Sequence, residues 1–402
     1  MARSPLNPLW ISHFTATSAI GRGLPQTLSA LRQRRGGLVP CAFDTVDLPT
    51  FIGEVPGVDA VRLPPELADF DCRNNRLAYL GLMQDGFADA VASAAHKYGA
   101  QRVGVFLGTS TSGILQTELA YRRRDPVNGA LPADFIYGTT HNSFSVADFA
   151  RLHFGLTGPA VVVSSACSSS AKVYASARRM MEAGLIDAAV VGGVDSLCLT
   201  TLYGFNSLGL ISGQPCRPFD VARDGISIGE AASFALLERL PEQLDANAVL
   251  LLGVGESSDA HHMSSPHPEG LGARIAMQQA LQTAQLDAAD IDYINLHGTA
   301  TPSNDAAETK AVAAVFGAGT PCSSTKGATG HTLGAAGGLE AVICALALQN
   351  GMLPGSLNTQ QLDPQLPLNY LLDNREQPVR RVLSNSFGFG GTNCSLVLGR
   401  AG

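Results

Sequence analysis

The sequence lacks the features that mark membrane-spanning, secreted and nucleic-acid-binding proteins. No uninterrupted apolar run approaches the ~18 to 20 residues that cross a bilayer, and Ser12, His13 and Thr15 interrupt the apolar stretch near the N-terminus, which argues against a signal-peptide core. The 27 basic side chains are fewer than the 34 acidic ones, so the net charge of −7 gives no general attraction to nucleic acid or anionic lipid. We therefore expect a cytoplasmic protein without a membrane span.

Closely spaced cysteines are missing as well. The eight cysteines are scattered over 402 residues, which argues against a disulfide framework or a structural zinc site and indicates a reducing compartment. The stretch that contains His261, His262 and His267 has no neighbouring cysteine and no helical HxxxH spacing, so it does not predict a metal site. We expect no metal in this protein.

What the sequence does have is an alternation of short apolar runs with Ala-rich helical stretches. With 45% hydrophobic residues and 43 glycines, this alternation predicts an α/β protein. The chain also resembles itself, because residues 107–113 are similar to residues 297–303, and residues 225–238 are similar to residues 388–399. These similarities indicate an internal duplication.

A polar, proline-containing connection near residues 240–248 separates two apolar runs and marks the boundary between the duplicated units. We predict an N-terminal half of residues 1–244 and a C-terminal half of residues 245–402. The N-terminal half has extra sequence at 115–155, and long insertions beside a site often bind a substrate or a partner.

Cys167 is the first candidate for chemistry. It lies between the apolar run Val161–Val163 and a helical segment, and a thiol at a helix N-terminus meets free N–H groups and the positive end of the helix dipole, which favour the thiolate. The small residues of SSACSSS leave room for a substrate to reach the sulfur. On the local sequence alone, a nucleophile and a buried structural cysteine both remain open.

Three further segments contain candidate site residues. His297 begins HGTATPSNDAAE after an apolar run, and a histidine in such a turn can act as an acid, a base or a hydrogen-bond donor. Lys326 and His331 lie in STKGATGHTLGAAGG, which lacks the GxxxxGK[ST] order of a phosphate-binding loop. Phe387 and Phe389 lie in SNSFGFGGTN, where glycines let the backbone approach a ligand, although a tight structural turn is the alternative.

Taken together and in this order, these segments closely resemble the elongating β-ketoacyl-ACP synthases, types I and II, of the thiolase superfamily. The segments CRPFDVARDGISIGEAA, SSDAHHMSSP and GFNSLGLIS extend the resemblance over nearly the whole chain, and it is weakest in residues 1–70. The resemblance implies a thiolase-like five-layered αβαβα sandwich of two duplicated halves. The N-terminal region, DFDCRNNRLAYL and FLGTSTSGI are similar, more loosely, to ketosynthases of aryl polyene pigment clusters.

The resemblance implies a decarboxylative Claisen condensation and assigns roles to matching residues. Cys167 would take the acyl group from acyl carrier protein, and His297 and His331 would hydrogen-bond the malonyl thioester and stabilise the enolate. The N–H groups of Cys167 and Phe389 would form the oxyanion hole, and Lys326 would orient His331. The implied substrate-binding residues are Thr299, Thr301, Phe205, Phe389 and His262. The implied supporting network contains Asp305 and Glu308, with Glu308 linked to Lys326.

The expected partner is acyl carrier protein, which brings its own phosphopantetheine, so no further cofactor is expected. Fatty-acid elongation enzymes of the family dock this acidic partner through basic residues that are absent here, where NGALPAD and Gly209 stand. The replacement cations that we predict are Arg73, Arg76, Arg122, Arg123 and Arg124. The resemblance also implies either a homodimer or a heterodimer with a chain-length-factor-like ketosynthase.

Two other functions stay open at this stage. A non-catalytic subunit could only shape the pocket of an active ketosynthase, although the intact Cys167, His297 and His331 argue against it. A thiolase-like transferase that uses coenzyme A is the other alternative. Neither the length nor the chemistry of the acyl primer follows from the sequence.

Overall fold

The apolar runs of the sequence form the strands of one large mixed sheet. The computed structural model describes residues 7–402, so the first six residues of the predicted N-terminal half lie outside it. The strands are β1 (Leu9–Ser18), β2 (Gly21–Arg22), β3 (Val39–Pro40), β4 (Phe51–Gly53), β5 (Val103–Gly108), β6 (Ala160–Val163), β7 (Ala188–Asp195), β8 (Ile228–Gly229), β9 (Ala231–Glu238), β10 (Val249–Ser258), β11 (Tyr293–Asn295), β12 (Cys322–Ser323), β13 (Met352–Leu353), β14 (Arg375–Glu376), β15 (Arg381–Gly388) and β16 (Thr392–Arg400).

The helices follow the strands in the alternation that the sequence indicates. They are α1 (Gly23–Arg32), α2 (Arg73–Leu82), α3 (Phe87–Tyr98), α4 (Ile114–Arg122), α5 (Ser145–His153), α6 (Ser169–Glu182), α7 (Leu199–Ser207), α8 (Leu271–Ala284), α9 (Pro302–Phe316), α10 (Lys326–Thr329) and α11 (Ala336–Asn350). The insertion at 115–155 forms most of α4, a loop and α5.

The internal duplication is visible in the order of the strands. From one edge, the large sheet reads β12, β11, β15, β16, β10, β1, β9, β7, β5 and β6. Read outward from the centre of the sheet, the N-terminal half has the order β1, β9, β7, β5, β6 and the C-terminal half has the order β10, β16, β15, β11, β12. If the strands are counted along the chain within each half, both orders are first, fifth, fourth, second and third, with the same parallel and antiparallel neighbours. The halves meet where β1 pairs with β10 through Leu9, Trp10 and Ile11. The prediction of two duplicated halves is confirmed, whereas the residue-level boundary at 244/245 stays a prediction.

Five layers result from how the helices cover the two halves of the sheet. Helices α6 and α11 pack against each other and against strands of both halves, so they form the central layer. Helices α2, α3 and α5 cover the outer face of the N-terminal half, and α8 covers that of the C-terminal half with α9 packed beside it. Strands β7 and β9 are buried at every residue, as expected for strands covered on both faces. The predicted αβαβα sandwich is confirmed.

Central helix α11 also explains the most apolar stretch of the chain. Within residues 7–402, one helical segment, Leu333–Asn350, is long and apolar enough to cross a membrane by composition. It is 89% buried inside the protein, where it contacts strands of both halves. This burial is that of a core helix, and a layer between two sheets needs such an apolar surface all round.

Candidate active site

Cys167 lies in the turn that leads from β6 into α6. The preceding residue, Ala166, has a φ of 51°, a left-handed conformation that a non-glycine residue adopts rarely and that sharply redirects the chain after the strand. Burial raises the pKa of the Cys167 thiol to about 12, although the positive charge of Lys326 acts in the opposite direction. The thiol is therefore protonated at neutral pH in the resting protein and needs a base to become a nucleophile.

Both predicted histidines come from the other half of the chain and lie near this thiol, with a ring nitrogen of each within 4.8 Å of the sulfur. The Nε2 atom of His331 lies 3.0 Å from the Cys167 sulfur, and the His297 ring stands edge-on to that of His331 with centroids 5.3 Å apart. Burial lowers the pKa of both imidazoles well below the usual value, and the charge of Lys326 lowers both further. Each ring is neutral near pH 7, so each has one nitrogen that donates and one that accepts.

The topology of the duplicated sheet brings these residues together. Cys167 follows the third strand of the N-terminal half, whereas His297 follows the second strand and His331 comes shortly after the third strand of the C-terminal half. The carboxyl ends of parallel strands share one edge of each half-sheet, and such ends are where α/β proteins build sites. Backbone bonds also fix His331, because its N–H donates to the carbonyl of Ser227 at 2.7 Å.

The direct partner of Lys326 is a residue that was not predicted. Lys326 is buried and its ammonium pairs with the carboxylate of Glu340, which lies on α11 and was missed from the sequence. Among the residues that the structure describes, Glu308 bonds to the N–H groups of His297 and Gly298 and to Asn385 rather than directly to Lys326, and its membership of a network with Lys326 stays a prediction. A lone acidic residue in the apolar run AGGLEAVICALAL was the available signal for Glu340.

Glu308 and Asp305 instead hold the backbone around His297. The two oxygens of Glu308 accept hydrogen bonds of 2.8 Å from the N–H groups of His297 and Gly298, and burial raises the pKa of this carboxyl to about 7. Asp305 accepts a 2.9 Å bond from the N–H of Phe219, far away in the sequence. Both carboxyl groups accept hydrogen bonds from backbone N–H groups, so they hold chain segments in position.

The oxyanion-hole prediction has a geometric counterpart. Burial dominates the pKa of the Cys167 thiol, and the nearby backbone N–H of Phe389 acts in the opposite direction by lowering it. Gly388 packs so tightly that a Cβ there would lie 2.8 Å from the carbonyl oxygen of Ser165 and 3.2 Å from the nitrogen of Cys167. A side chain at Gly388 would push the two turns apart. The N–H groups of the two turns therefore lie close together.

A partly open pocket leads to these groups. Cys167, His297 and His331 line its base. The predicted substrate-binding residues Thr299, Thr301, Phe205 and Phe389 also line it. Thr299 and Thr301 are bonded hydroxyl to hydroxyl at 2.9 Å, and the rings of Phe205 and Phe389 lie 5.5 Å apart. Apolar walls above a polar base suit a thioester that carries an acyl chain.

His262 is not brought into this pocket. It is exposed, and its Nδ1 accepts a 3.2 Å bond from the N–H of Ser264, which does line the pocket. His262 therefore lies at the rim rather than against the base. The rings of His261 and His267 lie 5.2 Å apart, but among residues 7–402 the one group of side chains close enough to share a metal ion does not include them, so this placement adds no support for a metal site.

Cys167, His297 and His331 themselves could be taken for metal ligands. Their donor atoms all lie within 4.8 Å of one another, which is close enough for one ion. The ammonium of Lys326 nevertheless acts on all three groups and would repel a dication, and a thiol with a pKa of about 12 is a poor thiolate donor. The set therefore fits acid–base and hydrogen-bonding work better than metal binding.

Two of the predicted docking arginines, Arg73 and Arg76, are held in ion pairs within the protein. Arg73 is buried at 3% exposure between the carboxylates of Glu230, Asp59 and Glu54, so it is not a docking residue and that prediction is wrong. Arg76 pairs with Asp71 and is only one-fifth exposed. The sequence could not reveal the fate of Arg73 because Glu230 lies 157 positions away.

Removal of Arg73 should therefore affect stability and not carrier-protein binding. We expect Arg73→Met to lower the free energy of unfolding by about 3 to 5 kcal/mol, because it leaves the fully buried Glu230 without its cation. Urea denaturation measures this change. The control is Arg76→Met, which removes a partly exposed pair and should cost less than about 1 kcal/mol. Equal effects of the two changes would contradict the assignment.

The neutral state of the two histidines can be tested directly. In a histidine-labelled sample, the imidazole signals of His297 and His331, assigned with single His→Asn variants, should not titrate between pH 6 and 8, because both pKa values lie well below 6.5. The same residues in urea-unfolded protein should titrate near ~6.5. A midpoint above pH 6 for either folded residue would contradict the electrostatic argument.

Family models match most of the chain. The model for the N-terminal domain of β-ketoacyl synthases matches residues 76–243, and the model for the C-terminal domain matches residues 248–360. Together they include the thiol, both histidines and Lys326, whereas the turn that contains Phe389 lies beyond the second match.

Individual proteins are similar over three quarters of the chain or more. The chain is 31% identical to "3-oxoacyl-[acyl-carrier-protein] synthase 2" of Coxiella burnetii over 97% of this chain and 98% of that protein. It is 36% identical to "Nodulation protein E" of Rhizobium meliloti over 74% of this chain and 75% of that protein. Among solved structures, a ketosynthase in complex with its chain length factor from Xenorhabdus doucetiae superposes with a TM-score of 0.88, at 38% identity over 98% of both chains.

Proposed function

The chain belongs to the β-ketoacyl synthase family and is an acyltransferase that elongates acyl chains by decarboxylative condensation with malonyl-ACP, and from this premise we propose that it is the catalytic subunit of an aryl-polyene-type ketosynthase pair. The single observation that supports the catalytic role best is the 3.0 Å contact between the Cys167 sulfur and His331 at the base of the pocket. A subunit that only shaped a neighbour's pocket would not need this contact.

The first half-reaction uses Cys167. As the thiol attacks the acyl thioester carbonyl, its proton passes to His331, and the N–H groups of Cys167 and Phe389 stabilise the negative charge on the oxygen of the tetrahedral intermediate. The carbon–sulfur bond to the carrier then breaks, and the departing phosphopantetheine thiolate takes up the proton. The product is an acyl-Cys167 thioester beneath the two phenylalanine rings.

The second half-reaction uses the histidine pair. A malonyl thioester carbonyl held by N–H groups of His297 and His331 becomes an enolate when the carbon–carbon bond to the carboxylate breaks and carbon dioxide leaves. The enolate carbon attacks the acyl-Cys167 carbonyl, and the Cys167 sulfur leaves as a thiolate that takes up a proton from solvent. Neutral imidazoles suit this step because each has an N–H group that can donate to the oxygen on which the negative charge develops. The Lys326 ammonium stays paired with Glu340 during the step.

A chain-length-factor-like subunit is the partner that we propose. The ketosynthase from Xenorhabdus doucetiae was solved with such a factor, and "The ishigamide ketosynthase/chain length factor" is also similar, at 26% identity and a TM-score of 0.88. The insertion also exposes large apolar side chains that a partner could cover. They are Tyr121, Val127, Ile136, Tyr137, Phe144 and Leu152.

The remaining parts of the proposal concern the setting. We propose that the protein acts in the cytoplasm without a metal or a resident cofactor, since phosphopantetheine arrives on acyl carrier protein. Carrier docking at Arg122–Arg124 stays a prediction: Arg122 pairs with Asp44 and Arg123 with Asp134, yet both side chains are more than one-third exposed.

Co-expression tests the pairing and intact mass tests the activity. The chain should form a one-to-one complex with the chain-length-factor subunit, and the complex should gain one acyl mass from acyl-ACP and release a β-ketoacyl product with malonyl-ACP. Primer competition between aryl and alkyl acyl-ACPs then tests the polyene assignment. A stable, fully active homodimer that prefers alkyl primers would overturn the proposal of an aryl-polyene pair while leaving the family activity intact.

A further inference from the structure

Two hydroxyl groups connect the two turns that form the oxyanion hole. Ser168 follows the nucleophile directly and is fully buried, and its Oγ lies 3.0 Å from the Oγ1 of Thr392, which follows the 389–391 turn. Ser168 also donates to the carbonyl of Ser165 at 2.9 Å. Because a serine hydroxyl has one proton, the Thr392 hydroxyl is the donor to Ser168.

The two turns have few other direct links at this point. The backbone N–H of Phe389 is near enough to the Cys167 thiol to lower its pKa, against the larger effect of burial, and Gly388 contacts the nucleophile turn by close packing. The 389–391 turn itself contains two left-handed glycines, Gly390 with a φ of 78° and Gly391 with a φ of 71°, so its own backbone has considerable conformational freedom. A hydrogen bond immediately after these glycines restricts where the Phe389 N–H can point.

The rest of the 389–391 turn is attached to a different part of the protein. Gly390 N–H donates to the carbonyl of Met263 at 2.7 Å, and the carbonyl of Gly391 accepts a 2.8 Å bond from the N–H of Asp259. These bonds hold the turn to the pocket rim and not to the nucleophile. The Ser168–Thr392 bond is therefore the side-chain link that ties the Phe389 donor to the Cys167 donor.

We propose that Ser168 and Thr392 are positioning residues for the oxyanion hole and act on acyl transfer but not on malonyl decarboxylation. The inference rests on the proposed function, in which the oxyanion hole serves the tetrahedral intermediates and the histidine pair serves the enolate. Loss of the bond lets the two N–H donors move apart, and an oxyanion needs donors at ~2.7 to 3.1 Å from its oxygen. The histidines are fixed by separate contacts, through Glu308 and Ser227.

The two half-reactions give a test that separates positioning from general damage. We expect Ser168→Ala and Thr392→Val each to slow single-turnover acylation of Cys167 by about 10-fold, less than the ~100- to 1,000-fold loss on removal of a whole oxyanion-hole donor. Carbon dioxide release from malonyl-ACP should change less than about twofold. Ser168→Ala/Thr392→Val should be no slower than either single variant, because both break the same bond.

Controls and contrary outcomes follow from the same design. Ser164→Ala makes the same change at an exposed position of the nucleophile turn and should leave both half-reactions unchanged, and Thr392→Ser keeps the hydroxyl and should restore acylation. Unchanged acylation in both variants, equal losses in both half-reactions, or additive losses in the double variant would overturn the inference. A wild-type protein that is not acylated by acyl-ACP would instead overturn the proposed function.

Discussion

Replacement of Cys167 by alanine is expected to abolish the acyl adduct and to lower condensation by at least about 1,000-fold. The reason is that the thiol is the acyl acceptor, and the oxyanion hole and the histidines cannot replace the covalent step. Intact mass after incubation with acyl-ACP measures the adduct, and release of β-ketoacyl product measures condensation. The alanine is smaller than the thiol and fits the turn, so the protein should remain folded.

The control for this experiment is Cys41→Ser, which removes the one cysteine among the described residues that is not buried. It should keep both the adduct and the product. An acyl adduct that persists in Cys167→Ala, or that disappears in Cys41→Ser, would contradict the assignment of the nucleophile. Malonyl decarboxylation should survive in Cys167→Ala, because that step depends on the histidines.

Replacement of either histidine is expected to stop carbon dioxide release. We expect His297→Ala and His331→Ala each to lower malonyl-ACP decarboxylation by about 100- to 1,000-fold, since each removes one preorganised donor to the enolate oxygen. Some acylation of Cys167 should persist in both variants, with a larger loss in His331→Ala because only that ring touches the thiol at 3.0 Å. Carbon dioxide capture and intact mass measure the two effects in parallel.

His96→Ala provides the matched control, because His96 is exposed on α3 and does not line the pocket. Decarboxylation at the wild-type rate in either site variant would refute the role of that histidine. A loss of the same size in both half-reactions would point to damage of the whole site and would also count against the separate roles proposed here.

The residues at the centre of the site could be predicted because they lie in segments whose sequence patterns are clear. Cys167 and His297 each follow a short apolar run, and His331 lies in a glycine-rich turn before a helix. The ends of parallel strands share an edge, so the duplicated pattern places the three residues together. The resemblance to a known family then gave the three residues their separate roles. Their neutral protonation states required the structure, because burial and the distance to Lys326 set them.

The partners in long-range ion pairs could not be predicted from the sequence. Arg73 was predicted to be a surface cation, yet it is enclosed by Glu230 on a segment that only the fold brings near. Lys326 was linked to Glu308, whereas its direct ion-pair partner is Glu340 on the central helix. In both cases the local sequence is compatible with several acidic partners, and tertiary packing selects one. Only the isolated glutamate within an apolar helix offered a local clue.

The division of the site between the two halves of the chain has a consequence for biosynthesis. The thiol belongs to the N-terminal half, whereas His297, His331 and the turn that contains Phe389 belong to the C-terminal half and are synthesised after it. Domains synthesised N-terminal first fold as their residues emerge. An N-terminal half on its own therefore carries the proposed nucleophile without the proposed base, and we expect acyl-ACP to leave its thiol unmodified.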